Sequence, residues 1–320
     1  MTNNTKSTAL VLGATGGIGG AVASALATRG WDIRALSRSA AAAAERKPNY
    51  EWIQGDALNA ADVLAAAAGT SLIVHAVNPP QYRDWDKVVL PMLDNTIAAA
   101  RAASARILFP GTVYNFGPDA FPTLTETSPQ HPTTKKGAIR AEMERRLEAA
   151  SRAGTPVLIV RAGDYFGPGA GSSWFSQGMV KPHKPVTKVT RPSAPGVGHQ
   201  WAYLPDVAET MARLVERADH LPAFAVYQME GTFDADGTEL ISAIERVVGH
   251  RVRVGSFPWW ALPLAAPFVP VARELREMRY LWSRSVRMTN DRLVAELGAE
   301  PHTPLDQAIR MTLAAQGCLQ

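Results

Sequence analysis

The residues from Leu10 to Gly19 read Leu-Val-Leu-Gly-Ala-Thr-Gly-Gly-Ile-Gly, a G-x-x-G-x-x-G run between a short apolar stretch and an amphipathic one. Glycine at 13 permits a sharp strand-to-helix turn. Glycine at 16 lets backbone approach a pyrophosphate, and glycine at 19 allows the helix to lie close on the strand. The helix start that follows, with Thr15, Gly17 and Ile18 around it, offers free N–H groups and the positive dipole end to phosphates. That chemistry is dinucleotide binding; a glycine-rich turn serving packing alone is the alternative. The next strand ends Ala35-Leu36-Ser37-Arg38, without the Asp or Glu that would accept hydrogen bonds from an adenosine ribose, and Asp32 stands at the strand's start. Arg38 can stack on adenine and make charge-assisted bonds to a 2′-phosphate, helped by Ser37. The expected cofactor is NADP(H) rather than NAD(H), against the alternative of a surface arginine.

The elements needed to hold that loop are present. Short apolar runs alternate with amphipathic stretches from residue 8 to about 165. Strands are expected at Thr8–Leu12, Asp32–Ser37, Glu51–Gln54, Ser71–Val77, Arg106–Pro110 and Val157–Arg161. Helices are expected at Gly17–Arg29, Ala60–Ala68, Val88–Ala103 and Gly137–Ala153. Runs such as Leu72-Ile73-Val74, apolar on both faces, point to a parallel sheet covered by helices. The fold class expected is therefore α/β, a Rossmann-like doubly wound sheet with a smaller C-terminal cap. Ala40–Ala44 reads as a helix start or a loop. After residue 165 the rhythm changes. Residues 181–200 hold four prolines and the basic Lys181, Lys184, Lys188 and Arg191, and no acid occurs between Asp164 and Asp206. This stretch reads as a long loop of functional or merely solvated character. The domains expected are a dinucleotide-binding part, 1–165, rejoined by 200–230, and a substrate or cap region of 166–200 and 231–320.

Composition narrows the function classes. With 320 residues, 46% hydrophobic and 19% charged, the chain is ordinary globular protein. A net charge of +4 spread along the chain does not argue for nucleic acid. The one cysteine, Cys318, permits no disulfide framework and suits a reducing compartment. No signal peptide is read at the N-terminus. The most apolar segment, Phe257 to Ala272, is broken by four prolines and too short to span a bilayer. A cytoplasmic protein is expected, with a small-molecule substrate, no membrane or nucleic-acid partner, and a homodimer left open. The seven histidines show no H-x-x-x-H spacing, and neither G-x-S-x-G nor a Walker loop occurs, so no metal is expected.

With Gly13–Gly19 in hand, further segments resemble the extended short-chain dehydrogenase/reductase superfamily of the NAD-dependent epimerase/dehydratase type. Gly55-Asp56 is similar to its GD after the third strand. Val74-His75-Ala76-Val77-Asn78 resembles its fourth-strand segment, and Arg161-Ala-Gly-Asp-Tyr-Phe-Gly-Pro168 its RPxNVYGP. Leu204-Pro205-Asp206-Val207-Ala208 resembles its VxDVA, and Leu293 to Leu305 its C-terminal pattern. The resemblance implies that Asp56 bonds the adenine amino group. It also implies that Ala76, Val77 and Asn78 line the nicotinamide ribose.

The family's catalytic serine or threonine lies five residues before the glycine of S-x-x-V-Y-G, which puts Thr112 of Thr112-Val-Tyr-Asn-Phe-Gly117 at that position. Its hydroxyl could bond a substrate oxygen, or simply satisfy local backbone. The family's Tyr-x-x-x-Lys is replaced. Between Pro129-Gln-His-Pro132 and Glu144, Lys136 takes the tyrosine position and Arg140 the lysine position. Arg140 can donate to ribose hydroxyls but cannot relay protons. Lys136 could polarise a carbonyl oxygen; two solvated helix charges are the alternative. Tyr114, sharing a face with Thr112 if that stretch is extended, and Tyr165 are candidate replacement tyrosines or pocket walls, and Trp174 lines the cap. The chain is thus identified as an atypical superfamily member. Its expected role is an NADP(H)-dependent oxidoreductase or epimerase-like enzyme using a non-standard acid/base. A non-catalytic NADP(H)-binding redox sensor is the rival.

Overall fold

In the computed structural model residues 7–79, 85–265 and 275–319 are described. The chain forms two compact units, each drawn from three stretches. Unit 1 comprises Met1–Gly111, Ile139–Arg161 and Ala208–Tyr227; unit 2 comprises Thr112–Ala138, Ala162–Val207 and Gln228–Gln320. Residues 112–138 and 162–165 thus group with unit 2, and 208–227 group with unit 1.

The strands in chain order are β1 (Thr8–Leu12), β2 (Asp32–Ser37), β3 (Glu51–Gln54), β4 (Leu72–His75), β5 (Arg106–Thr112), β6 (Thr123–Leu124), β7 (Val157–Ala162), β8 (Asp164–Phe166), β9 (Lys188–Arg191), β10 (His199–Tyr203), β11 (Phe224–Gln228), β12 (Thr232–Asp234), β13 (Arg253–Ser256) and β14 (Arg287–Met288). The helices of seven or more residues are α1 (Gly17–Thr28), α2 (Ala40–Arg46), α3 (Ala60–Ala67), α4 (Trp85–Ala103), α5 (Lys135–Arg152), α6 (Leu204–Glu216), α7 (Glu239–Val248), α8 (Asp291–Leu297) and α9 (Leu305–Ala315) among the described residues.

Unit 1 is built on a seven-stranded sheet in the order β11-β7-β5-β4-β1-β2-β3. The pairings from β3 through β5 are parallel. Its inner strands are apolar on both faces because helices cover both: every residue of β4 is buried. Helix α1 buries Gly19, Val22, Ala23 and Leu26, spaced 3, 1 and 3 residues apart, the stripe a 3.6-residue period lays on one face. The strand order reverses between β1 and β4. In such sheets this switch point opens a crevice at the carboxyl ends of the strands, and the glycine run follows β1 there.

Unit 2 has a three-stranded sheet, β12-β10-β8, two paired ribbons, β9 with β13 and β6 with β14, and helix α7. Its core gathers Trp282, Phe116, Phe166, Phe175, Trp201 and the buried face of α7. The stretch 181–200 is not a loop throughout, as expected from its prolines. Lys188–Arg191 pairs in parallel with Arg253–Ser256, and His199 opens the central strand of the small sheet. The alternation in Lys188-Val-Thr-Arg191, with Val189 buried, was masked by flanking prolines. Of the apolar segment 257–272, residues 266–272 lie outside the described residues. No described helix is long and apolar enough to cross a membrane.

Candidate functional site

In unit 1 the glycine run forms a cradle that side chains would fill. Gly13 has φ +93°, a conformation L residues rarely adopt, and a Cβ there would lie 2.5 Å from the Ala76 carbonyl oxygen and 2.8 Å from the Val77 nitrogen. A Cβ at Gly19 would lie 2.2 Å from the Gly13 carbonyl oxygen, whereas at Gly16 the nearest atom is 3.3 Å away. Positions 13 and 19 are therefore the strict ones. The Gly16 amide donates to the Gly13 carbonyl at 2.9 Å and closes the turn. Helix α1 starts with no side-chain cap and no acid in its first turn, leaving N–H groups and dipole for an anion. The loop suits a dinucleotide pyrophosphate.

Beyond β2 the backbone is fixed while the arginine is left out. Gln54 accepts from the Ala40 amide at 3.1 Å and donates to the Arg38 carbonyl at 2.7 Å. The Ser37 hydroxyl accepts from the Ser39 amide at 3.1 Å. The Arg38 side chain is exposed and has no hydrogen-bond or ion-pair partner among the described residues. Asp56 accepts from the Leu58 amide at 3.0 Å, and its own amide is held by Asp62 at 2.9 Å, so its carboxylate sits at a fixed turn.

At the end of β4, His75 is buried. Its Nδ1 contacts the Thr96 hydroxyl at 2.7 Å, and that hydroxyl donates to the Met92 carbonyl at 3.0 Å. His75 therefore donates from Nδ1, and Nε2 has no partner among the described residues. Burial, and then the Arg140 charge, hold its pKa down to about 3, so the ring stays neutral. Arg140 is not a solvated charge. Its guanidinium lies 5.3 Å from the Trp85 ring and 5.7 Å from the Phe109 ring, with the Pro110 carbonyl 3.5 Å from Nη1. The Trp85 indole in turn donates to Asn78 at 2.6 Å. One helical turn past Arg140 on α5, Glu144 makes a buried ion pair with Arg161, Nη2 to Oε2 at 2.6 Å and Nε to Oε1 at 3.1 Å.

Unit 2 carries the remaining candidates. Thr112 ends β5, and its hydroxyl accepts from the Tyr114 amide at 2.8 Å, capping a 3₁₀ turn over Val113–Asn115. The local-backbone role expected of Thr112 is thus real, while the hydroxyl keeps a proton to donate. Because 113–115 is a turn and not a strand, Tyr114 does not share a face with Thr112 by alternation. Its phenol reaches Asp164, donating to Oδ1 at 2.9 Å. His199 Nε2 meets the other oxygen, Oδ2, at 2.8 Å. The register of the small sheet explains the meeting: Asp164 pairs with Trp201, and His199 lies two residues before Trp201, on the same face of β10. Gly163 lets the strands come this close, since a Cβ there would lie 2.3 Å from the Gln200 carbonyl oxygen.

Asp164 and His199 are buried and Tyr114 half-buried. The His199 ring stacks on Trp282 at 3.7 Å and 19°, and meets Trp201 edge-on. Tyr280 donates to the Phe116 carbonyl at 3.2 Å; burial, and then the Asp164 charge, push its phenol up. Lys136 is only 5% exposed, so it too is no solvated charge. The first turn of α5, which carries it, abuts the Tyr114 turn: a Cβ at Gly137 would lie 2.4 Å from the Tyr114 carbonyl oxygen. Tyr165 is half-buried opposite Ala202, and Trp174 packs on Phe257, Trp259 and Trp282. Asp164 and His199 were not among the sequence candidates. The available signals were an Asp where the R-x-x-N segment has Asn, and a histidine heading a buried strand. Among the described residues no cluster of three or more His, Cys, Asp or Glu side chains could hold a metal ion.

The NAD dependent epimerase/dehydratase family model matches residues 9–229. The chain belongs to that family. A 3-diazoavenalumate denitrifying reductase from Streptomyces sp is 32% identical over 180 residues, 51% of this chain and 57% of that protein. An uncharacterized protein of Sinorhizobium fredii is 29% identical over 180 residues, 50% of this chain and 51% of that protein. The chain spans about half the length of the curated relatives it matches. Among solved structures, UDP-glucose-4-epimerase from Stenotrophomonas maltophila, with bound NAD and formylated UDP-arabinopyranose, superposes with a TM-score of 0.75 at 14% identity, over 97% of this chain and 98% of that one. UDP-glucose 4-epimerase from Bifidobacterium longum, in complex with NAD+ and UDP, gives 0.73 at 17% identity over the same shares. At these identities the likeness is one of fold. This epimerase/dehydratase family member has the Rossmann-like α/β fold that the sequence implied.

Proposed function

We propose that the protein is an NADP(H)-dependent reductase of a small or medium organic substrate. The observation that carries the cofactor choice is Arg38, exposed and without a partner among the described residues at the end of β2, on a backbone clamped by Gln54, where an NAD-selective site would place a carboxylate. When bound, the nicotinamide supplies hydride. The Gly13–Gly19 cradle and the start of α1 hold the pyrophosphate. Asp56 meets the adenine, Ala76, Val77 and Asn78 line the nicotinamide ribose, and Arg140 donates to its hydroxyls. Thr112, with its proton free to donate, and Lys136 polarise the reacting oxygen, while Tyr165 and Trp174 wall the substrate. Calorimetry tests the choice: NADPH should bind at least about tenfold tighter than NADH, roughly 1.4 kcal/mol, and Arg38→Ala should erase most of that gap. Equal affinities in the unaltered protein would sink it.

A second reading follows from Lys136 at the tyrosine position and the denitrifying reductase among the relatives. Hydride delivered to a diazonium carbon forms C–H as C–N breaks and dinitrogen leaves with the bonding pair, so no proton donor is needed. Dinitrogen release with an aryl diazonium salt and NADPH, unchanged in Thr112→Val and Lys136→Met, would favour it. Tight NADPH binding with no acceptor reduced would instead favour the redox-sensing regulator.

A further inference from the structure

Arginine stands at position 140, where the family resemblance places lysine, and the two cations are held by different means. A lysine ammonium is a point charge on a flexible stem, and it can turn its donors to any nearby acceptor. A guanidinium is a flat fork, so its plane has to be set before its donors converge on one group. Unit 1 supplies the surfaces that set it. The Arg140 guanidinium carbon lies 5.3 Å from the Trp85 ring centroid and 5.7 Å from that of Phe109, both within the reach of cation–π attraction. The neutral His75 ring, 6.0 Å from Phe109, adds no positive charge beside it. Phe109 is an inward residue of β5, and packing alone accounts for it. Trp85 is different. It opens α4, is buried, and donates its indole N–H to Asn78 Oδ1 at 2.6 Å.

That hydrogen bond does more than fix the indole. An indole nitrogen only donates, so the Asn78 amide turns its oxygen toward Trp85 and its Nδ2 away. Asn78 is exposed, and its Nδ2 has no partner among the described residues. One side chain therefore orients two groups, the Asn78 amide through its N–H and the Arg140 guanidinium through its ring. Both are donors, and the complement of two donors is a group rich in acceptor oxygens. A phenylalanine or leucine would fill the interior without an N–H to satisfy, so packing does not explain the tryptophan.

Resting on the reading that puts Arg140 at the nicotinamide ribose, we propose that Trp85 is a positioning residue for the nicotinamide half of the cofactor. It holds Arg140 by its ring and Asn78 by its N–H, so that both donate to the ribose hydroxyl oxygens. Trp85 acts through these two side chains and not on the cofactor directly. It is the companion that an arginine requires where a lysine could have aimed itself.

The test compares, by calorimetry on the whole chain, NADPH with adenosine 2′,5′-bisphosphate, which lacks the nicotinamide riboside. Trp85→Phe keeps a ring and loses the N–H, and should weaken NADPH binding by about 3–10-fold, the usual net worth of one hydrogen bond. Trp85→Ala loses both and should weaken it by about tenfold or more. Binding of adenosine 2′,5′-bisphosphate should stay within about twofold in both variants, because its contacts lie apart from Trp85. Arg140→Ala should show the same split between the two ligands. Trp85→Ala combined with Arg140→Ala should lose less than the product of the two single losses, since they act through one contact. The proposal is overturned if Trp85→Phe and Trp85→Ala leave NADPH affinity unchanged. It is equally overturned if both ligands weaken together, which is the mark of a structural residue, or if the losses in the double variant multiply. Equal affinities of the unaltered protein for NADPH and NADH would sink only the choice of NADP(H). The same split would then be read with NADH against adenosine 5′-monophosphate. Failure to bind either nicotinamide cofactor would sink both readings.

Discussion

The two units satisfy their backbones by different means. In unit 1 the seven-stranded sheet pairs strand with strand, and the close approaches are made by glycines. In unit 2 the sheets are small, and distant segments are tied by single carboxylates. Asp234 accepts from the amides of Gly237, Glu239 and Leu240 at 2.9, 3.1 and 3.2 Å. Glu300 accepts from the amides of Glu230 and Gly231 at 2.9 and 2.7 Å and from the Asn290 amide group at 2.8 Å. Asp206 accepts from the Thr303 amide and hydroxyl, both at 2.7 Å. A repeated ladder spreads stability over many equivalent bonds; an anchor concentrates it in one side chain. Unit 1 should therefore tolerate most single changes outside the buried Glu144–Arg161 pair and its glycines, and unit 2 should fail one anchor at a time.

That contrast can be broken or sharpened by experiment. The largest effect should come from the exception in unit 1. Glu144→Ala leaves Arg161 charged and buried, and should cost about 3–5 kcal/mol, read from the urea midpoint. Next comes an anchor of unit 2: Asp234→Ala strands three amides at the start of α7 and should cost about 2–3 kcal/mol. If it costs no more than an ordinary surface change, the anchor description of unit 2 is wrong. His75 gives a pH effect. Its folded pKa, about 3, lies below the unfolded value near 6.5, so the unfolded chain binds the proton first. Its contribution is fully present above about pH 6.5 and is lost as pH falls toward 3, by up to about 1.4 kcal/mol per unit. His75→Leu should flatten the acid side of the stability curve, measured by urea unfolding from pH 7 to 4. The smallest effect should be Asn59→Ala, which removes one local cap from α3 in unit 1 and should cost about 1 kcal/mol.

The same contrast explains what could be read from the sequence. The sheet of unit 1 was legible because burial on both faces writes continuous apolar runs, as in Leu72-Ile73-Val74, and α1 writes a 3.6-residue stripe. The glycine run was legible because backbone crowding at Gly13 and Gly19 excludes any side chain, so the chemistry is local. The shared face expected of Tyr114 and Thr112 required an extended stretch, and alternation does not hold across the 3₁₀ turn found there. Asp164 and His199 stayed hidden because their meeting depends on the β8–β10 register, 35 residues apart in the chain, and on Gly163. Lys136 was legible as a departure from Tyr-x-x-x-Lys, yet its burial is set by how α5 docks, which no spacing encodes.

The strand order has a consequence for synthesis on the ribosome. Strand β5 sits inside the sheet, yet its outer neighbour β7 starts about forty-five residues later, and β11 follows only after α6. At about 5–20 residues per second, the apolar edge of Ile107, Leu108 and Phe109 waits roughly 2–9 s without a partner. An open apolar edge is a template for pairing with another chain. A nascent chain halted between Thr112 and Val157 should then be a client for holdase chaperones, and fragments ending there should precipitate while the full chain remains dispersed.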